Sequence, residues 1–198
     1  MSIEPDTILQ FVNSLGLLAL IALGCGAMAR AALPPNAEAG GHIALFGGGA
    51  ILAMLAGAGI EPGVRVDGSG IVIGLAGLFL APVVAMAAAA LAGVFRLFVL
   101  GGFGATADAV GIVLACGLGL AAAQALKARR TFDVRELLLA GLFIRLSLVS
   151  LFVLPFGIAV AALPQALLTL PFSAAAALVF GLLLQRERRL TGQARGLL

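Results

Sequence analysis

Residues 71–100 read IVIGLAGLFLAPVVAMAAAALAGVFRLFVL, and this apolar run decides how the chain is threaded. As one helix, rising about 1.5 Å per residue, it would be about 45 Å long. Crossing a hydrocarbon core of about 30 Å would then need a tilt near the upper limit for membrane helices. The middle of the run carries Ala81-Pro82, and proline disfavours helical geometry for the residue before it. The run therefore predicts either one long tilted helix or two short helices joined at Ala81-Pro82.

The composition assigns the chain to the integral membrane proteins. Of its 198 residues, 62% are hydrophobic and only 11% are charged, and the mean hydropathy is +1.18. A soluble domain could not cover its surface with so few polar residues. We therefore expect an all-α, polytopic transmembrane helix bundle with the lipid bilayer as its partner. The sequence contains no nucleophile–base motif, phosphate-binding loop or metal-ligand spacing, which predicts no enzyme activity, no cofactor, no metal site and no nucleic-acid partner.

The remaining apolar stretches set the number of spans. Five of them are long enough to cross a membrane, namely 8–29, 41–60, 105–126, 136–162 and 165–185. Six spans would leave both termini on one side, whereas a turn at Ala81-Pro82 gives seven and separates them. With the basic clusters 127–135 and 185–189 on the cytoplasmic side, seven spans also place Arg30 and His42 there, as lysine and arginine prefer. We therefore predict about seven helices, with the N-terminus outside and the C-terminus inside.

Seven spans also bring charged and glycine residues together at the extracytoplasmic face. Guanidinium groups there could hold a small anion bidentately, and glycines would permit a close backbone approach and a positive φ in a turn. Alternatively, Arg96 and Asp108 pair with each other, or Arg96 extends to the membrane interface. The residues alone leave these interpretations open. The candidate residues from this reasoning are Arg65, Asp67, Arg96, Gly101, Gly102, Gly104, Asp108 and Arg145.

Arg145 stands apart because of its depth. The segment GLFIRLSLVSLF places it about ten residues into a span, roughly 15 Å from the cytoplasmic end and close to the bilayer centre. An arginine at this depth costs roughly 2.5–3.5 kcal/mol on insertion scales. We therefore expect Arg145 to face the bundle interior and to have a partner there. Asp108 is the nearest acidic candidate, and whether the two residues meet is left open.

The stretch PGVRVDGSGIVIGLAGLFLAPVVAMAAAALAGVFRLFVLGGFGA, residues 62–105, resembles the signature region of the LytS-type five-transmembrane sensor module. That signature has a Pro-Gly, an Asp-x-Arg, a Gly-Leu-Phe-x-x-Pro turn, and an arginine followed by Gly-Gly-x-Gly. The matching site residues are Asp67, Arg96, Gly101, Gly102 and Gly104. This chain departs from the pattern at Ser69, where the family often has a second arginine. Arg65 could replace it from four residues earlier.

The resemblance implies a sensory input module of a histidine kinase or diguanylate cyclase receptor. Such a module would bind a small anionic ligand, for example a carboxylate such as pyruvate, in an extracytoplasmic pocket. It would signal through its last helix, as a homodimer in the bacterial inner membrane. The fold is also similar to the substrate-binding subunits of energy-coupling-factor transporters, so a transporter or substrate-capture subunit is the alternative. The expected organisation is an N-terminal helix and connector (1–39), the sensor module (40–185) and the start of a cytoplasmic linker (186–198), with any catalytic output beyond this chain.

Overall fold

A computed structural model describes residues 5–31, 33–61, 64–102, 104–126, 133–155, 157, 159–160, 167 and 170–195. Within these ranges the chain forms seven helices, six of which are long and apolar enough to cross a membrane. The prediction of a polytopic helix bundle of about seven helices is therefore confirmed. The helices are α1 (Pro5–Ala31), α2 (Pro35–Leu55), α3 (Ser69–Phe79), α4 (Pro82–Val94), α5 (Ala105–Leu126), α6 (Val134–Ile144) and α7 (Leu170–Arg195).

Two of these helices change their winding before they end. Helix α4 continues as a π-helical segment, Phe95–Leu100, which makes one apolar span of 19 residues from Pro82 to Leu100. Helix α6 continues as a 3₁₀ segment, Arg145–Val153, and together they make a span of 20 residues. Both changes occur at a buried arginine of the candidate site. π-Bulges and mid-helix 3₁₀ stretches often mark functional sites.

The Ala81-Pro82 pair is a turn between two helices. Helix α3 ends at Phe79, Ala81 is extended with φ −63° and ψ 143°, and Pro82 is the first residue of α4. Proline suits this position because its fixed φ is helical and its missing N–H would have no partner in the first turn. The alternative of two helices joined at Ala81-Pro82 is therefore the correct one, and α3 is shorter than the six helices that could span a membrane. Of the two helices, α3 is short, with 11 residues, whereas α4 and its π-helical continuation form a span of 19 residues. The predicted pair of short helices is therefore one short helix followed by a full span.

A short β-hairpin lies between two helices of this otherwise all-α bundle. Strands β1 (Ala58–Glu61) and β2 (Val64–Val66) pair antiparallel, with Ala58 opposite Val66 and Gly59 opposite Arg65. The predicted span 41–60 is therefore too long, because α2 ends at Leu55. The sequence around Pro62-Gly63 has the β-branched residues and turn pair of a hairpin, and the apolar run before it obscured this signal. The span predicted at 136–162 is also shorter, since its 3₁₀ segment ends at Val153.

Helix α3 forms the centre of the bundle and lies very close to α5. All of its residues from Ile71 to Leu78 are buried. A Cβ on Gly119 of α5 would overlap the carbonyl oxygen of Gly74, and one on Gly77 would lie 2.5 Å from the carbonyl oxygen of Cys116. Small residues every four positions on α5 let the two backbones approach, as such stripes do where no hydrophobic effect acts between helices.

Helices α6 and α7 run antiparallel, and the contacts along them identify the two ends of the bundle. A Cβ on Gly181 would meet the side chain of Leu137 near one end, and a Cβ on Gly141 would lie 2.6 Å from the carbonyl oxygen of Ser173 further along. Glu187 of α7 pairs with Arg30 of α1 at the first of these ends. The opposite end carries the hairpin and the turn between α4 and α5, and it is there that the candidate site lies.

Candidate functional site

Arg96 is buried, with 3% of its surface exposed, and its guanidinium group lies between two helices. Its Nε donates a hydrogen bond of 2.7 Å to Oδ2 of Asp108 on α5, and its Nη1 donates one of 3.1 Å to the carbonyl oxygen of Gly101. Its Nη2 also contacts the Asp108 carboxylate as an ion pair, but without hydrogen-bond geometry among the described residues. Of the interpretations open for Arg96, pairing with Asp108 is therefore the one observed.

The glycine cluster after Arg96 forms the predicted turn. Gly101 has φ 57° and ψ −151°, and Gly102 has φ 93°. Residues with a Cβ rarely adopt these backbone conformations. The carbonyl oxygen of Gly104 accepts a hydrogen bond of 3.0 Å from the N–H of Asp108, within the first turn of α5. The turn therefore aims the Gly101 carbonyl at Arg96 and starts α5 so that Asp108 can reach the same guanidinium.

Asp67 fixes the start of α3. Its Oδ1 accepts a hydrogen bond of 2.8 Å from the N–H of Ser69, an arrangement that satisfies one of the free donors at a helix N-terminus. The backbone of Gly57 packs against Asp67 so closely that a Cβ on the glycine would lie 2.9 Å from the aspartate Cβ. The carboxylate is thereby held between the hairpin and the first turn of α3.

Arg145 shares a small cavity with both aspartates. It is 5% exposed, as expected for an arginine in the middle of a span, and it attracts Asp67 electrostatically. The cavity has a volume of about 60 Å³, enough for roughly four to six non-hydrogen atoms on the scale of one water per 10–15 Å³. Its polar and charged lining residues are Asp67, Ser69, Asp108, Arg145, Ser147 and Ser150.

The structure sorts the predicted site residues into three groups. Asp67, Ser69, Asp108 and Arg145 line the cavity. Arg96 and the three glycines do not line it and instead support it through Asp108. Arg65 lies in β2 opposite Gly59, and its side chain is outside the described part of the structure.

Sequence reasoning missed Ser147 and Ser150. Both are buried, at 6% and 8% exposure, and both follow Arg145 in the 3₁₀ segment. Gly111 of α5 leaves room for Ser150, because a Cβ there would lie 2.8 Å from the serine Oγ. Two hydroxyl groups within five residues of a mid-span arginine, in an otherwise apolar segment, were a signal that could have identified them.

A second, larger cavity of about 360 Å³ lies at the opposite end of the bundle. Its walls are largely apolar and include Phe46, Phe79 and Leu184, while Glu38 at its mouth is exposed. His42, which the seven-span threading puts on the cytoplasmic side, also lines it and is partly exposed. This cavity lacks the buried charged side chains of the smaller one, so the smaller one is the candidate site.

These observations define a class of protein: a multi-pass membrane protein whose helices enclose a small polar cavity with buried charges. The comparison with protein families is more specific. The family described as 5TMR of 5TMR-LYT, the LytS-type five-transmembrane receptor module, matches residues 37–187, well over half of the chain. The chain belongs to this family, and it is a membrane sensory module of the kind found in signalling receptors. No curated protein and no solved structure matches it.

Proposed function

We propose that the chain is the ligand-binding sensory input module of a bacterial receptor of the histidine kinase or diguanylate cyclase type. The observation that carries the proposal is the buried Arg145, which lines a polar cavity inside the family-matched region. A buried guanidinium can hold a carboxylate or a similar anionic group by two parallel hydrogen bonds, which strengthen where water is excluded. The proposed ligand is therefore a small molecule with such a group, and the expected assembly is a homodimer.

The proposed orientation puts the cavity on the extracytoplasmic side of the inner membrane. Arg30 and Glu187 pair at the opposite end of the helices, where α6 also begins. The cluster 185–189 includes Glu187, and the basic stretch 127–135 leads into α6 along the sequence, so the distribution of charge supports a cytoplasmic position for that end. A ligand would then enter from outside, while α7 leads toward the cytoplasm.

Helix α6 offers a route from the cavity to α7. Arg145 is the residue that follows α6, and Gly141 lies one turn earlier against the backbone of α7 at Ser173. Because this contact leaves no room for a Cβ, a shift of α6 cannot be absorbed by side chains alone and should move α7 with it. A ligand that binds one arrangement of α6 better than another would therefore change the position of α7.

Distances between spin labels test this proposal. Labels at Ala125→Cys on α5 and Arg186→Cys on α7 occupy exposed positions, and the two native cysteines, both buried, would first be replaced by alanine. Small carboxylates and amino acids are added to the protein in lipid nanodiscs. We expect a change in the label distance that Arg145→Gln abolishes. A ligand that binds without changing the distance, and that the protein carries across liposome membranes, would contradict the receptor proposal and indicate a transporter.

A further inference from the structure

The charges of the described residues around the small cavity add up to zero. Asp67, Asp108 and Arg145 line it, and Arg96 contacts Asp108 from behind, which gives two carboxylates and two guanidinium groups. Arg96 pairs with Asp108, and Arg145 lines the same cavity as Asp67. Counted over these described residues, the cavity is electrically balanced before any ligand enters.

A balanced site discriminates against ligands with a net charge. A simple carboxylate would bring one uncompensated negative charge into a region of low dielectric, between two aspartates that already repel each other. A ligand whose own charges cancel leaves the balance intact. The lining contains both negatively and positively charged side chains. A ligand with one positive and one negative group can therefore form a favourable charge interaction at each group, whereas an uncharged ligand forms hydrogen bonds only.

We infer that the ligand is a small zwitterion, an α-amino acid of about five or six non-hydrogen atoms such as glycine or alanine. This inference rests on the proposed function, whose ligand it specifies. The carboxylate group binds Arg145, and the ammonium group lies between Asp67 and Asp108. The serine hydroxyl groups, which can donate as well as accept, complete the hydrogen bonding of both ends. The volume of about 60 Å³ favours a side chain as small as a hydrogen atom or a methyl group.

The experiment measures equilibrium binding of radiolabelled alanine, glycine, pyruvate and propionate to the full chain in nanodiscs. Alanine and pyruvate are similar in size, and each has one carboxylate group. The ratio of their dissociation constants therefore isolates the contribution of the ammonium group. We expect alanine to bind at least about tenfold more tightly than pyruvate or propionate.

The variant Asp67→Asn should change this preference. It removes one negative charge but keeps an oxygen that can accept the Ser69 N–H, so the start of α3 is preserved. The cavity then carries one positive charge, and we expect alanine to lose about tenfold in affinity while pyruvate gains. Glu38→Gln is the matched control, since it removes one negative charge from an exposed position at the other end and should leave both affinities unchanged.

Each outcome decides a different question. Pyruvate binding as tightly as alanine to the parent protein would overturn the zwitterion and leave the proposed function standing. No binding of alanine or glycine would overturn the zwitterion, and the spin-label distances measured with the wider set of carboxylates and amino acids would then decide the proposed function. If Asp67→Asn fails to fold, the ratio of alanine to pyruvate affinity in the parent protein still decides.

Discussion

The Nε of Arg96 donates a hydrogen bond of 2.7 Å to Oδ2 of Asp108, twelve residues further along the chain. The bond joins the π-helical end of one span to the first turn of the next and closes the turn that contains Gly101. Asp108 also lines the cavity, so one residue belongs both to a structural pair and to the candidate site. The pair therefore sets the position of a carboxylate that a ligand would meet.

Breaking this pair from one side should be strongly destabilising. The change Arg96→Met leaves the Asp108 carboxylate partly buried without its guanidinium partner, and removing one member of a buried ion pair costs about 3–5 kcal/mol. The free energy of unfolding can be followed with a thiol-reactive fluorescent dye. This readout suits the chain because it has no Trp or Tyr, while Cys25 and Cys116 are both buried and not joined by a disulfide.

The double variant Arg96→Met with Asp108→Leu is the control for that experiment. Replacing both charges by apolar groups removes the uncompensated carboxylate, so most of the lost stability should return. A double-mutant cycle with the two single variants gives the coupling energy of the pair. Additive effects of the two substitutions would contradict a direct interaction between Arg96 and Asp108.

Gly101→Ala should strain the turn. Gly101 has φ 57° and ψ −151°, a combination that is nearly exclusive to glycine, and forcing another residue there costs of order 1–3 kcal/mol. Space is not the cause, because the nearest atom to an added Cβ lies at 4.0 Å. The matched control is Gly93→Ala in α4, where nothing lies within 4 Å and the helix should gain stability. Equal stability changes in the two variants would show that the turn is not strained.

Most of the architecture could be predicted because it follows from length and chemistry along the chain. Three features follow from the type and position of single residues in the sequence. They are the turn at Ala81-Pro82, the burial of Arg145 and the positive φ of Gly101. The hairpin could not be separated from α2, since residues 41–60 form one apolar run. The shared cavity of Asp67 and Arg145 was also out of reach, because the fold of the short α3 brings these two distant residues together.

A pair of glycines on α5 tests the close contact with α3. A Cβ on Gly119 would overlap the carbonyl oxygen of Gly74, and this atom belongs to the backbone and cannot rotate away. Gly119→Ala should therefore lower the free energy of unfolding by about 1–3 kcal/mol, as overpacking does. Gly117→Ala, two residues earlier on an exposed face with nothing within 4 Å, should be neutral or stabilising. A larger loss from Gly117→Ala than from Gly119→Ala would contradict the observed helix pair.

The ion pair between Arg30 and Glu187 should contribute far less than the one between Arg96 and Asp108. The Arg30 side chain is 53% exposed, so water screens the pair and its ordering costs side-chain entropy. Such pairs are worth about 0–1 kcal/mol, and added salt weakens them further. Arg30→Gln should therefore change the free energy of unfolding by less than about 1 kcal/mol at low salt, and by still less at about 1 M salt. The dye assay used for Arg96→Met measures both values on the same scale. A loss above about 2 kcal/mol that persists in high salt would mean that the contact between α1 and α7 is held by a desolvated pair.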